Sequence, residues 1–415
     1  MTNLGGWFFT LLALGIFYAT WLTTSRSIWV LITAFIAIFS HQALSILNVL
    51  YGPFPFAALD AASFHLHAIQ RIELPDTKVW SIGSSFYKSL LASVYNIFGV
   101  SLWLGQAFSI VFFAASCAIL MLFSQAIRLN NLFVGFTLLL FGLLPSSLMF
   151  GSFTLRETFM TVFFILGVCV AYLAIYDNAR ERQWRLYSFA VISFFIMGLF
   201  HMVLLVYAII ISFLLFIVLY GQKASFQKVV FQTLCCLVGI GVFMVLVKEV
   251  LPVHLSDDYF AMLRIQVNGD VVPIPHAISV YHQTANATGA DTQYAAALEF
   301  TTWGRMFVVF FYSYVFYLGW PLTGDYSQLS TWVIMAEAIF RLLGLVSIVL
   351  LAKTNKQWYW LIFAYLSLTF LWNIGTSNHG QALRHHVMTE WILVLALFSY
   401  VQQNLSRNWR HKFKH

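Results

Sequence analysis

The sequence predicts an all-α, polytopic membrane protein, and three observations carry that prediction. Of 415 residues, 61% are hydrophobic and 18% aromatic, while only 9% are Asp, Glu, Lys or Arg. The mean hydropathy is +0.82. Runs of about 18 or more apolar residues, enough to cross a bilayer as a helix, recur along the whole chain.

In order, the apolar stretches are Gly5 to Leu22, Ile28 to Leu50, Ser101 to Phe123, Leu132 to Leu148 and Thr158 to Tyr176. Further on come Ser188 to Tyr220, Val229 to Val247, Met306 to Trp320, Thr331 to Leu351, Trp358 to Trp372 and Ile392 to Val401. Ser188 to Tyr220 is too long for one span and reads as two short helices bending near His201. The total is about 10 to 12 transmembrane helices. No charged leader or small-residue cleavage site marks a removable signal peptide. Cys117, Cys169, Cys235 and Cys236 all lie inside apolar stretches and read as small core residues.

Orientation follows from the loops. Arg180, Arg182 and Arg185, then Lys223 and Lys228, then Lys353 and Lys356, and finally Arg407, Arg410, Lys412 and Lys414 mark cytoplasmic segments. The net charge of +7 is thereby absorbed by topology, and no nucleic-acid partner is expected. Parity is restored if Trp303 to Trp320 is a re-entrant or interfacial helix. The chain reads as one membrane domain, 1–415, with outer loops at about 51–83, 149–157, 248–302 and 375–387.

Polar chemistry concentrates on that outer side. In "YGPFPFAALDAASFHLHAIQRIELPD", Asp60 precedes a helical stretch and can cap it, with His65, Arg71 and Glu73 following. The spacing of Asp60, His65 and His67 matches no established metal site, and no cofactor is expected. "SSFYKSLLASVYNIFGVSLWLGQ" is amphipathic and suits a helix lying on the outer membrane surface. In "LLPSSLMFGSFTLRETFM", Pro145 ends one helix and Arg156 with Glu157 opens the next. An Arg there opposes the helix dipole unless it faces an anion, although it could also snorkel to the interface.

"NHGQALRHHVMTEW" gathers Arg384, His385, His386 and Glu390, with His379 upstream. Ionisable residues at membrane depth mark functional sites by default. The plainer reading is interfacial anchoring, with Arg384 paired to Glu390. Guanidinium groups bind phosphate through bidentate, charge-assisted hydrogen bonds, and a carboxylate across a cleft can act as general base. A lipid-linked phosphate at the membrane surface suits that combination.

The order of these features resembles the membrane glycosyltransferases of the GT-C superfamily and related proteins of bacterial polysaccharide clusters. The likeness rests on "DAASFHLHA", "YNIFGVSLWLGQAFS", "LPSSLMFGSFTLRET", "LGWPLTGD" with Glu337, and "GQALRHHVMTEWILVLA". It implies a bacterial inner-membrane enzyme that transfers sugar, at its periplasmic face, from a polyprenyl-phosphate-linked donor to a glycan or lipid acceptor. By that resemblance Asp60 is the general base, with His65 as the alternative, and Arg384, with Arg156, holds the donor phosphate. Glu157, His385 and His386 complete the expected substrate-binding set. The main alternative is an O-antigen or exopolysaccharide polymerase acting on a polyprenyl-pyrophosphate-linked oligosaccharide, for which Arg264 and Arg305 are further candidates. A third is a lipid-linked-oligosaccharide flippase, expected to carry inverted repeats and broken helices. The loop over 248–302 brings Asp257, Asp258, Tyr281 and His282 as possible glycan contacts, and a sequon at Asn286.

Overall fold

A computed structural model describes residues 4–54, 58–73, 80–177, 179–221, 264–267, 270–273, parts of 308–318, 329–374, 376 and 379–412. Helices dominate them: α1 (Leu4–Thr23), α2 (Ile28–Tyr51), α3 (Ala58–Glu73), α4 (Ser84–Phe98), α5 (Leu102–Ala126), α6 (Asn131–Leu143) and α7 (Pro145–Ser152). They continue with α8 (Glu157–Tyr176), α9 (Arg180–Leu199), α10 (Met202–Gly221), α11 (Leu329–Thr354), α12 (Trp358–Ile374) and α13 (His379–Lys412). The one departure from an all-α expectation among the described residues is a short antiparallel hairpin, β1 (Arg264–Val267) with β2 (Asp270–Pro273), registering Arg264 against Pro273.

Six described helices (α1, α2, α5, α8, α10 and the Met335–Thr354 part of α11) are long and apolar enough to cross a membrane. A seventh arises if α6 and α7 count as one span. The protein is therefore a polytopic membrane protein. The stretch 229–247 lies outside the described residues, as does much of the expected re-entrant helix at 303–320.

The chain punctuates itself where its residues demand it. The expected single span over Leu132 to Leu148 is two helices meeting at 64°. Pro145 is the first residue of α7, where its missing N–H goes unneeded, and it cannot continue α6. Ser101 caps α5 by accepting from Leu104 N, and Asn130 caps α6 by accepting from Phe133 N. The long apolar run around His201 splits as expected, after Leu199. A Cβ on Gly198 would lie 2.7 Å from Leu205 Cα, and Phe194 meets Tyr207 at 6.5 Å between ring centroids. Only a helical hairpin brings residues seven and thirteen apart so close.

The described residues group into two compact units, Met1–Ala208 with Ile339–Leu366 and Arg384–His415, and Ile209–Ala338 with Ser367–Leu383. In the first, α5 and α8 are the most buried spans, flanked by α1, α2 and α9. Small residues set the helix spacing, as apolar surroundings require. A Cβ on Gly142 would lie 2.4 Å from Ala37 Cβ, and one on Gly167 2.6 Å from the Phe194 ring. In the second unit, Asn373 Nδ2 donates to Ser313 Oγ at 3.0 Å and Tyr314 Oη shares a 2.7 Å bond with Thr369.

Within the first unit the connections sort into two ends. At one, Ser25 Oγ donates to Asn131, Asn130 N to Gln402, and Tyr172 Oη to Gln357, gathering the turns that carry Arg26, Arg128 and Lys356. At the other, Gly83 N donates to Leu199 O and Arg156 Nη1 to Phe200 O. This second end joins α3, α4, the start of α8, the α9–α10 turn and the start of α13.

Candidate functional site

Arg384 is the hub of that second end. The expected loop at 375–387 is instead helical from His379, so Arg384 sits in the second turn of α13. Its Nε donates to Glu157 Oε1 at 2.5 Å, and its Nη1 donates to Asp60 Oδ2. Three segments, separated by 227 and 324 positions from Arg384, thus meet on one guanidinium. The carboxylates differ: the Glu157 side chain is 3% exposed and that of Asp60 57%.

Each acid sits where backbone geometry favours it. Glu157 is the first residue of α8, and Asp60 lies in the first turn of α3, inside the helix rather than ahead of it. Both residues therefore lie at the positive end of a helix dipole. Glu157 Oε2 is buried and accepts no hydrogen bond from the described residues.

Arg156 is the second guanidinium of the cluster. It occupies the N-cap position of α8, and its Nη1 donates to Phe200 O at 3.0 Å. Among the described residues its buried Nε has no partner and no carboxylate pairs with it. Burial draws its pKa below the usual guanidinium range; Glu157 and Asp60 oppose that pull while Arg384 adds to it. Lys88, on α4, is lowered by burial and by Arg71 and Arg156, against the charge of Asp60. Two guanidiniums and an ammonium thus share one neighbourhood with two acids.

His65 stands beside this cluster and is less suited to take a proton. Its Nδ1 lies 2.7 Å from Tyr95 Oη. Burial raises the Tyr95 hydroxyl far above the usual phenol range, with Tyr87 adding to the shift, so Tyr95 stays protonated. Burial lowers the pKa of His65, and the Tyr95 contact occupies its Nδ1. His67 turns instead to Ser63 O at 2.7 Å, so Asp60, His65 and His67 do not converge. No group of three potential metal ligands occurs among the described residues.

The histidines after Arg384 divide. His385 lies in electrostatic reach of Arg384, His201 and Arg156, whereas His386 is 1% exposed, facing the helical interior. His201, at the α9–α10 turn, is pulled down to about 3 by burial and by Arg156 and Arg384. It belongs to the cluster and is more than a bend residue.

Glu390 does not pair with Arg384. Six positions along a helix rotate it about 120° away from that residue. It accepts from Arg341 Nη1 at 3.2 Å and from Ser146 Oγ at 2.7 Å, deep in the bundle. Arg341 drew no attention in the sequence, although a lone Arg in an apolar helix is a signal of that kind. Asp257, Asp258, Tyr281, His282, Asn286 and Arg305 lie outside the described residues, and of Arg264 only its place in β1 is described. No protein-family model, curated protein or solved structure matches the chain.

Proposed function

We propose that the protein is a membrane glycosyltransferase that uses a polyprenyl-phosphate-linked sugar at the face bearing Arg384. One observation carries the reading: Arg384 bridges Asp60 and Glu157, with Arg156 alongside. An exposed acid next to two guanidiniums, at the end of a membrane bundle, suits an acceptor hydroxyl meeting a lipid phosphate.

In the proposed reaction the bond between the anomeric carbon and the phosphate oxygen breaks, and its electron pair leaves on the lipid phosphate. Arg384 and Arg156 neutralise that charge. The acceptor oxygen bonds to the anomeric carbon while its proton passes to Asp60. The arriving phosphate competes with Asp60 for Arg384, which releases the carboxylate to act as base. Glu157 stays on Arg384 Nε and holds the guanidinium plane.

The presence of two arginines also favours a second reading, a polymerase whose donor carries a pyrophosphate. Membranes supplied with radiolabelled polyprenyl-phosphate sugar and acceptor test the first. Transfer of single residues, abolished by Asp60→Asn and by Arg384→Ala, is the expected result. Full transfer by both variants would sink the assignment, and ladders formed only from an oligosaccharide-pyrophosphate donor would replace it with the second reading.

A further inference from the structure

Glu157 and Tyr172 lie fifteen residues apart on α8 (172 − 157), and Arg384 and Ser399 fifteen apart on α13 (399 − 384). At about 1.5 Å per residue, both helices reach a second polar region about 22 Å from the Arg384 cluster. A cavity of about 900 Å³ opens there, bounded by the ends of α5 and α8, the α8–α9 and α11–α12 connections, and the later turns of α13.

Its wall is amphipathic. Leu129, Leu173 and Trp358 present apolar surface, while Gln357, Gln402 and Ser399 present polar groups. Most of the polar groups are already engaged: Tyr172 Oη donates to Gln357 at 2.9 Å, and Gln402 Nε2 donates to Arg128 O at 3.1 Å. Ser399 is the exception. It is 7% exposed, and its buried Oγ has no hydrogen-bond partner among the described residues. A buried hydroxyl without a partner is costly, and a ligand oxygen beside it removes that cost.

The charge at the rim is positive. Arg128 and Arg182 both line the cavity, and a single acid there, Asp177, lies 3.4 Å from Arg182. Arg128 follows α5 in the left-handed region (φ 64°), a position usually given to glycine. The same end carries Arg26, Arg180 and Lys356. Basic pockets between helices at the cytoplasmic side select anionic headgroups, and a few hundred to a thousand Å³ suits one small amphiphile.

We propose that this cavity binds one anionic phospholipid. The headgroup phosphate sits between Arg128 and Arg182, a headgroup oxygen accepts from Ser399 Oγ, and the chains follow Leu129, Leu173 and Trp358. The site is separate from the Arg384 cluster and does not depend on the reaction catalysed there.

The full-length protein, delipidated and reconstituted in nanodiscs of phosphatidylcholine with phosphatidylglycerol, provides the test. Retained lipid is counted by native mass spectrometry. One phosphatidylglycerol is expected to be retained over phosphatidylcholine by about thirtyfold, the equivalent of about 1 kcal/mol from each of the two arginines. R128Q/R182Q should bring that ratio close to parity. Ser399→Ala should lower it, and Arg26→Gln, at the same end but off the cavity wall, should leave it intact. Both arginines are exposed, so the double variant is expected to stay folded, and an unchanged melting temperature in phosphatidylcholine verifies this. Parity in the wild type, or an equal loss with Arg26→Gln, overturns the site. Inorganic phosphate raising the melting temperature as far as phosphatidylglycerol does overturns the lipid as its ligand.

Discussion

Arg341 Nη1 stands 3.2 Å from Glu390 Oε1, with the two side chains 3% and 0% exposed. Ser146 Oγ holds the other carboxylate oxygen at 2.7 Å. Removing either partner leaves a buried charge uncompensated, at about 3–5 kcal/mol, whereas replacing both by apolar residues is often neutral. Arg341→Met and Glu390→Leu should each lower the unfolding midpoint in detergent sharply, and the double variant should recover most of the loss. Additive losses in the double-mutant cycle would show that the two residues stabilise the bundle independently.

The Arg384 cluster allows a separation of fold from activity. Asp60 is more than half exposed, so its pair with Arg384 contributes no more than about 1 kcal/mol. Asp60→Asn should therefore lose transfer while keeping its melting temperature. Arg384→Ala strands the buried Glu157 and should lose about 3 kcal/mol as well as activity. Adding Glu157→Gln should restore stability but not transfer. Circular dichroism melts beside the transfer assay separate the two effects.

His201 gives the protein a pH dependence with a definite sign. Its folded pKa, about 3, lies below the ordinary value of 6.5, so the unfolded chain binds the proton more readily. The stability from keeping it neutral is complete above pH 6.5 and is lost as pH falls from there towards 3. A proton on it would add a third positive charge beside Arg156 and Arg384. His65, also lowered by burial, acts in the same direction. Melting temperatures from pH 7.5 down to 4 should fall, and His201→Gln should flatten that slope; an unaltered slope would count against the assignment.

Two glycines should respond oppositely to alanine. At Gly198 the new Cβ meets backbone, Leu205 Cα at 2.7 Å, so the α9–α10 hairpin has to open, at about 1–3 kcal/mol. At Gly15, inside α1, none of the described residues lies within 4 Å of the new Cβ, and alanine should stabilise the helix by about 0.5–1 kcal/mol. Unfolding midpoints of the two variants provide the comparison.

Much of the scaffold was legible in the sequence because apolar run length is a local signal. The bounds of α2, α5, α8 and α12 fall within a few residues of the runs that announce them. The residue types at the site were legible too, since Asp60, Arg156, Glu157 and Arg384 are anomalies in an apolar chain. Their pairing was not. Arg384 was open to Glu390 because proximity along the chain suggested it, whereas helical rotation sends them to different neighbours. The Asp60 contact depends on packing across 324 positions, which no local pattern encodes. Arg341 hid inside a span, masked by the hydropathy of its neighbours. The Ser399 cavity is a property of space between helices, and its polar lining is too scattered along the chain to read as a motif.

The uninterrupted course of α13 has a structural consequence. Its 34 residues make a rod of about 50 Å, longer than the roughly 30 Å hydrocarbon layer. No proline interrupts it between Arg384 and Ser399. One continuous helix therefore carries both Arg384 and Ser399, so the two polar regions are built on the same piece of backbone.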